Sequence, residues 1–423
     1  VTHPIPTASV AQQALCGNDE VAAAHPHQPY KPIAPSQRLA SLPTYIFAQL
    51  NQFKAQAVAN GISLIDLGMG NPDMPTPASI IEALTQAVAN PVNHRYPDFE
   101  GKATFRQAVA GWMHRRYDVS VDPDTAIQPL IGTKEGLAHL IQALVDPGDV
   151  MLVPTLYYPT YLRAAVLNGA EVHWLPISQA NNYLPDLTQI PPDVAKRAKL
   201  MLVNYPNNPT GAMADEAFYH QAVAFCRHYG IALVNDMAYG ELLFDGQRQP
   251  SILSIEGAED VAIEFHSFSK SFNMAGWRMG WAVGNTTLIK ALYTLKTNLD
   301  YGACNAVQDG ATFALDHAET LIPPIVQTYQ NRRNVVSQRL QAMGWAAQAP
   351  KGSFYYWLPV PQGFAGSMAF SQWLILNHGV VLTPGIAFGQ AGDGFMRLSL
   401  VSPEAQLNLA LDRIEAANLS FTH

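Results

Sequence analysis

Four short segments carry residue types that do chemistry when they are brought together. The first is His266-Ser267-Phe268-Ser269-Lys270, just past an apolar run, with Arg278 a little further on. A Ser-x-Ser-Lys on its own is an ordinary solvated loop. Here hydroxyls, an ammonium and a guanidinium follow one strand-like run. Hydroxyls and a guanidinium suit a phosphate monoester, and a lysine of lowered pKa forms Schiff bases. The second segment, Asn235-Asp236-Met237-Ala238-Tyr239, ends another apolar run. Asp236 alone reads as a turn or cap residue; beside a Schiff-base lysine it can hold a protonated pyridine nitrogen. The third, Asn204-Tyr205-Pro206-Asn207-Asn208-Pro209-Thr210-Gly211, is a turn by composition. An asparagine before proline is also where a cis bond presents an amide inward, which points to Asn208–Pro209. The fourth, Ile131-Gly132-Thr133-Lys134-Glu135-Gly136, opens a helix whose N–H groups and positive dipole end can take an anion.

These segments need elements to position them. Strand-like apolar runs occur at 62–67, 150–153, 170–175, 199–204, 231–235 and 261–265, with helical spacing at 135–145, 159–168 and 215–229. Strands alternating with helices at this spacing imply βαβ units and a mainly parallel sheet flanked by helices, an α/β fold. In such a sheet ligands sit at the carboxyl ends of the strands, where all four segments fall. Past residue 287 the pattern changes to long helices at 287–299 and 305–343, short strands at 352–358 and 395–400, and a last helix at 403–417. That layout predicts a second, smaller α+β domain. The expected organisation is a Pro-rich flexible extension over 1–36, a segment over 37–69 joining the small domain, a large domain over 70–304 and the small domain over 305–423.

Composition narrows the classes. Of 423 residues 48% are apolar and 14% charged, against about 25% charged on average, so a disordered chain is a poor description. The net charge of −8 offers no global attraction to nucleic acid or anionic lipid. Cys16, Cys226 and Cys304 form no disulfide framework or zinc spacing and suit a reducing compartment. With no membrane-length apolar run and no signal-like start, a cytoplasmic protein is the expectation. No metal site is expected, since the histidines lack ligand spacing. His266, Phe272 and Trp277 read as packing residues, Asp245 and Asp300 as turn residues.

Taken together, the segments resemble the pyridoxal-phosphate-dependent class I aminotransferases. The run Ser267-Phe268-Ser269-Lys270-Ser271-Phe272-Asn273-Met274-Ala275-Gly276-Trp277-Arg278 is similar to the family's lysine signature. Gly132-Thr133-Lys134-Glu135-Gly136-Leu137-Ala138-His139 and Asn273-Met274-Ala275-Gly276-Trp277-Arg278 resemble the branch of bacterial alanine and LL-diaminopimelate aminotransferases. The resemblance implies that Lys270 holds the cofactor covalently and moves the proton, that Asp236 bonds the pyridine nitrogen, and that Tyr239 and Asn208 bond the phenolic oxygen. It assigns the phosphate to Thr133, Lys134, Ser267, Ser269 and Arg278, and ring stacking to Tyr158, with Tyr157 the alternative. Arg397 matches the clamp for the substrate α-carboxylate, also contacted by Asn208, and Gly70 the loop that closes over it. Tyr96 matches a tyrosine lent to the partner subunit's phosphate, which implies a homodimer, and Tyr45 resembles a substrate-contacting tyrosine. The implied reaction moves an amino group between an amino acid and a 2-oxo acid. Residues 296–304 lack an arginine for a distal carboxylate, which places alanine or glutamate with pyruvate or 2-oxoglutarate first. LL-diaminopimelate or aspartate comes second, and a C–S β-lyase is the rival chemistry.

Overall fold

The structure, a computed structural model, describes residues 33–43 and 46–421. Its described strands are, in chain order, β1 Ile65–Asp66, β2 Ile127–Leu130, β3 Val150–Pro154, β4 Glu171–Leu175, β5 Ala198–Val203, β6 Ala232–Asp236, β7 Ala262–Ser267, β8 Gly280–Gly284, β9 Tyr355–Pro359, β10 Val380–Val381, β11 Thr383–Pro384 and β12 Phe395–Ser399.

Seven of them form one sheet in the order β2-β8-β7-β6-β5-β3-β4. The contacts from β7 through β6, β5 and β3 to β4 are parallel, while β8 runs antiparallel to both neighbours. Strands buried on both faces are mostly apolar, which is why β3 and residues 200–203 of β5 read as continuous runs, and the buried Glu264 and His266 of β7 are bonded to each other. The period of two then divides each run. Met151 and Val153 pack under the helices Thr133–Leu144, Thr160–Asn168 and Thr286–Leu299, while Val150 and Leu152 pack on the side of Glu216–Tyr229. Local signals set the helix ends. The Asp215 side chain accepts from Phe218 N at 2.8 Å, and Gly230 in the left-handed region closes the same helix.

A second sheet, β11-β12-β9, is antiparallel, and β1 pairs in parallel with β10. Phe354, Tyr356, Leu358, Met396 and Leu398 share a core here with Leu407, Leu411 and Ile414 of the helix Glu404–Glu415. Three elements differ from expectation. The strand expected over 62–67 reduces to β1, because its partner β10 offers only two residues. The single helix expected over 305–343 is two, Asn305–Asp316 and Ala318–Ala342, broken at His317. The strand expected from 352 begins at Tyr355, since Ser353 at φ 61 leaves the extended region. The extension expected over 1–36 lies outside the described residues apart from 33–36. Among the described residues no helix is long and apolar enough to cross a membrane.

Candidate active site

Every parallel strand of the large sheet delivers its carboxyl end to the same edge, and the antiparallel β8 begins at that edge. Loops after β2, β3, β5, β6 and β7, and Arg278 just before β8, therefore converge on one cavity of about 570 Å³. Its lining includes Gly70, Thr133, Lys134, Tyr158, Asn208, Asp236, Tyr239, Ser267, Ser269, Lys270, Arg278 and Arg397. Residues up to hundreds of positions apart in sequence are thus brought together as expected.

Lys270 lies on the short helix Phe268–Ser271 directly after β7, where the Ser267 hydroxyl accepts from Ser269 N at 3.1 Å. Its Nζ donates to Gly70 O at 2.7 Å. Burial, then the charges of Arg397 and Arg278, lower its pKa to about 7. An amine close to half neutral near neutral pH is what imine formation and proton transfer require.

Asp236 ends β6. Its Oδ2 accepts from the Tyr161 hydroxyl at 2.7 Å, and Asn204 Nδ2 donates to its carbonyl at 2.6 Å. Burial raises its pKa to about 6, against the hydrogen bonds from the Tyr161 hydroxyl and Ala238 N–H and the charge of His266. A buried carboxylate held by neutral donors gains most from a protonated ring nitrogen. Tyr239, also buried, has its hydroxyl 3.1 Å from that of Tyr355.

Arg397, at the middle of β12, donates through Nη1 to Asn208 Oδ1 and through Nη2 to Gly68 O, both at 2.8 Å. Its guanidinium carbon lies 4.0 Å from the ring centroid of Tyr355 and 4.6 Å from that of Phe388. Its Nε is buried with no protein acceptor among the described residues. An orphaned guanidinium N–H at the wall of a cavity is a donor for a carboxylate oxygen. Asn208, its oxygen engaged by Arg397, keeps its amide NH₂ as a donor.

The phosphate end is built from backbone. The helix Thr133–Leu144 starts after Gly132 at φ 78 with no side-chain cap, which leaves its first N–H groups as donors. Glycine is favoured at 132 by its positive φ, and a Cβ there would also push the Arg278 guanidinium from its present place. Arg278 itself takes φ 53, a conformation a bulky residue adopts at a cost of about 1 kcal/mol and keeps mostly at ligand sites. A lysine of lowered pKa, a buried carboxylate and this cradle together fit pyridoxal phosphate.

Some expectations need correction. Among the described residues the cis peptide is Tyr205–Pro206, and Asn208–Pro209 is trans. Asn208 is presented instead by its own N–H, which donates to Asn204 Oδ1 at 2.8 Å. Trp277 is not core: it is 38% exposed and its Nε1 donates to Thr76 Oγ1 at 3.1 Å. Phe272 is buried, and His266 stacks on Trp281 while bonding Glu264 at 2.7 Å. Tyr158 lines the cavity, whereas Tyr157 stacks on Trp174 at 5.1 Å. Tyr96 does not line its own chain's cavity; it is exposed and stacked on Tyr301 at 4.5 Å. Tyr45 lies outside the described residues. Glu135, His139 and Asp300 converge like metal ligands, yet the buried Lys296 ammonium sits among them, 2.7 Å from Glu135 and 3.0 Å from Asp300.

Sequence reasoning missed Tyr161, Asn204, Tyr355 and Phe388. Tyr161 occupies a helix position that reads as core, and Tyr355 lies in an aromatic strand run. Neither pattern reveals where a hydroxyl points.

Comparison with known proteins agrees with this geometry. The family described as aminotransferase class I and II matches residues 62–414. The LL-diaminopimelate aminotransferase of Moorella thermoacetica is 44% identical over 379 residues, covering 90% of this chain and 97% of that protein. Its counterpart in Aquifex aeolicus is 44% identical over 384 residues, covering 91% and 99%. Substrate-bound BacF from Bacillus subtilis superposes with a TM-score of 0.87 at 39% identity, covering 93% of this chain and all of that one. An aspartate aminotransferase mutant from Thermus thermophilus superposes at 0.85 with 26% identity, covering 91% and 99%. With the cavity, the cradle and these matches in agreement, the chain belongs to the class I and II aminotransferases and is a pyridoxal-phosphate-dependent enzyme.

Proposed function

We propose that the enzyme transfers the amino group of LL-diaminopimelate to 2-oxoglutarate, ahead of the alanine and pyruvate pair that residues 296–304 favour. The observation that carries this reading is the set of relatives named LL-diaminopimelate aminotransferase, 41–46% identical over nearly their whole length. The cavity supports it. Beyond Arg397 its wall carries Asn51, Lys54, Asn71 and Arg163, polar groups that a methyl side chain would leave unused but a long, doubly charged substrate would engage.

In this reading Arg397 clamps the α-carboxylate, its Nε–H and outer Nη protons aimed at the two oxygens. The cofactor, when bound, supplies an electron-poor ring that stabilises negative charge at the substrate Cα. Asp236 keeps the ring nitrogen protonated, and Tyr239 and Asn208 donate to the phenolic oxygen. Thr133, Lys134, Ser267, Ser269 and Arg278 hold the phosphate, with Tyr158 against the ring. Lys270 Nζ, freed from Gly70 O, takes the Cα proton and returns it one position removed. Tyr96 and Tyr45 serve the partner's phosphate and the substrate in a cytoplasmic homodimer. The large domain spans 70–304 and the small one 305–423, and the β1–β10 pairing supports attaching 37–69 to the latter.

A half-reaction screen tests the substrate. Single amino acids are fed to the pyridoxal form and its visible band is followed. LL-diaminopimelate and glutamate should discharge the band fastest; rapid discharge by alanine with LL-diaminopimelate inert would replace this reading with alanine transamination.

A further inference from the structure

Tyr355 has no part in the roles assigned above, yet it touches three of them. It is the first residue of β9, 2% exposed. Its hydroxyl is 3.1 Å from the Tyr239 hydroxyl. Its ring lies 4.0 Å from the Arg397 guanidinium carbon. A Cβ at Gly70, whose carbonyl accepts from Lys270, would fall on the Tyr355 hydroxyl, so the glycine leaves room for that oxygen. β12 sets this arrangement, since Arg397 pairs with Trp357 and Ser399 with Tyr355 across the β9–β12 ladder.

A phenol has one proton to give and lone pairs to receive. For Tyr239 to spend its proton on the cofactor's phenolic oxygen, the Tyr239–Tyr355 contact must run the other way, with Tyr355 donating and Tyr239 accepting. A hydroxyl that accepts becomes a stronger donor in turn. The rings of Tyr355 and Phe388 meanwhile both pack against the Arg397 guanidinium, which restrains the fork that a carboxylate must meet. The other titratable groups facing Tyr239 are Arg397, Tyr158 and Tyr161.

We propose that Tyr355 is a positioning residue: its hydroxyl directs the Tyr239 proton toward the cofactor, and its ring restrains the Arg397 clamp. The inference rests on the roles given to Tyr239 and Arg397 in the proposed function.

The test titrates the visible band of the cofactor-loaded enzyme against pH and measures KM in parallel. A donor to the phenolic oxygen favours the deprotonated chromophore, so Tyr355→Phe should move the midpoint up by roughly half to one pH unit. It keeps the ring, so KM for the amino donor should stay within about twofold. Tyr355→Leu loses the ring as well and should raise KM roughly tenfold. In a Tyr239→Phe background, Tyr355→Phe should add no further shift. A wild-type midpoint in Tyr355→Phe, or an equal shift with and without the Tyr239 hydroxyl, overturns the proposal. Tyr239→Phe alone separates the two layers: an unmoved midpoint there overturns the role given to Tyr239, whereas movement there and none in Tyr355→Phe overturns this inference only.

Discussion

Lys270 sits where burial and two guanidinium groups all favour its neutral form, at a pKa of about 7. Ordinary lysine is neutral only near pH 10 and would be almost wholly protonated where this enzyme must react. The rate at which the cofactor-free protein takes up pyridoxal phosphate covalently should therefore rise through about pH 7 and level off by about pH 9, followed by absorbance. A flat rate across that range would show that the amine is not the group being tuned. Lys270→Ala should lose the visible band and at least about a hundredfold in turnover, the usual contribution of a positioned acid–base group. Asp236 is tuned the opposite way for the same reason. Burial disfavours its charge, and its two protein donors, the Tyr161 hydroxyl and Ala238 N–H, are neutral, so a pyridinium would supply the adjacent cation.

At the scale of elements, the sheet fixes where these groups meet and the surrounding helices fix how firmly. The helix Thr133–Leu144, which offers its N-terminus to the phosphate, is tied to Thr286–Leu299 by Lys296, Glu135 and Asp300, with His139 2.7 Å from Glu135. Burial alone would raise the Glu135 pKa, but His139 and Lys296 more than offset it and hold the carboxyl below its ordinary value. A depressed carboxylate pKa stabilises the fold above the ordinary glutamate range, and that stabilisation is lost as pH falls through the lowered value. Lys296→Met leaves Glu135 and Asp300 facing each other without their buried cation, with only His139 beside them. It should cost about 3 kcal/mol in denaturant unfolding, and Glu135→Gln with Asp300→Asn added should restore part of it. An unchanged midpoint in Lys296→Met would mean that water already screens these carboxylates. The helix ends and the apolar runs behind this scaffold are legible in sequence. Asp215 caps and Gly230 stops one helix, and continuous burial writes β3 and residues 200–203 of β5 as unbroken apolar stretches, while β7 carries the buried pair Glu264 and His266 within its run. The break at His317 carries no such mark, because nothing in its local composition excludes a continuous helix.

For the whole molecule, Tyr96 is exposed on its own chain and stacked on Tyr301, whose other ring neighbour is Phe99, and it takes no part in lining the cavity that the same chain builds. If Tyr96 completes a partner's phosphate site, mixed dimers should complement. Lys270→Ala and Tyr96→Ala homodimers each lack one component of every site. A hybrid dimer owns one intact site, with Lys270 from one protomer and Tyr96 from the other. Co-refolding the two variants should recover wild-type cofactor affinity in about half of the hybrid's sites. No recovery on mixing would place each site within a single chain.

The sequence by itself determined the class of chemistry and offered candidate carriers for it, because a lysine, an aspartate, two arginines and a helix opening keep their identities whatever the fold does with them. Alternating apolar runs and amphipathic stretches likewise determined a mainly parallel sheet, since burial on two faces leaves no other pattern. Only the tertiary structure decided which neighbours those residues have. That Tyr161 holds Asp236, that the trans Asn208–Pro209 bond still presents Asn208 to Arg397, and that Tyr355 lies between Tyr239, Arg397 and Gly70 are all long-range contacts. Hydrogen-bond partners are set by where strands bring side chains in three dimensions. Local spacing encodes the period of an element and not the direction in which a hydroxyl on it points.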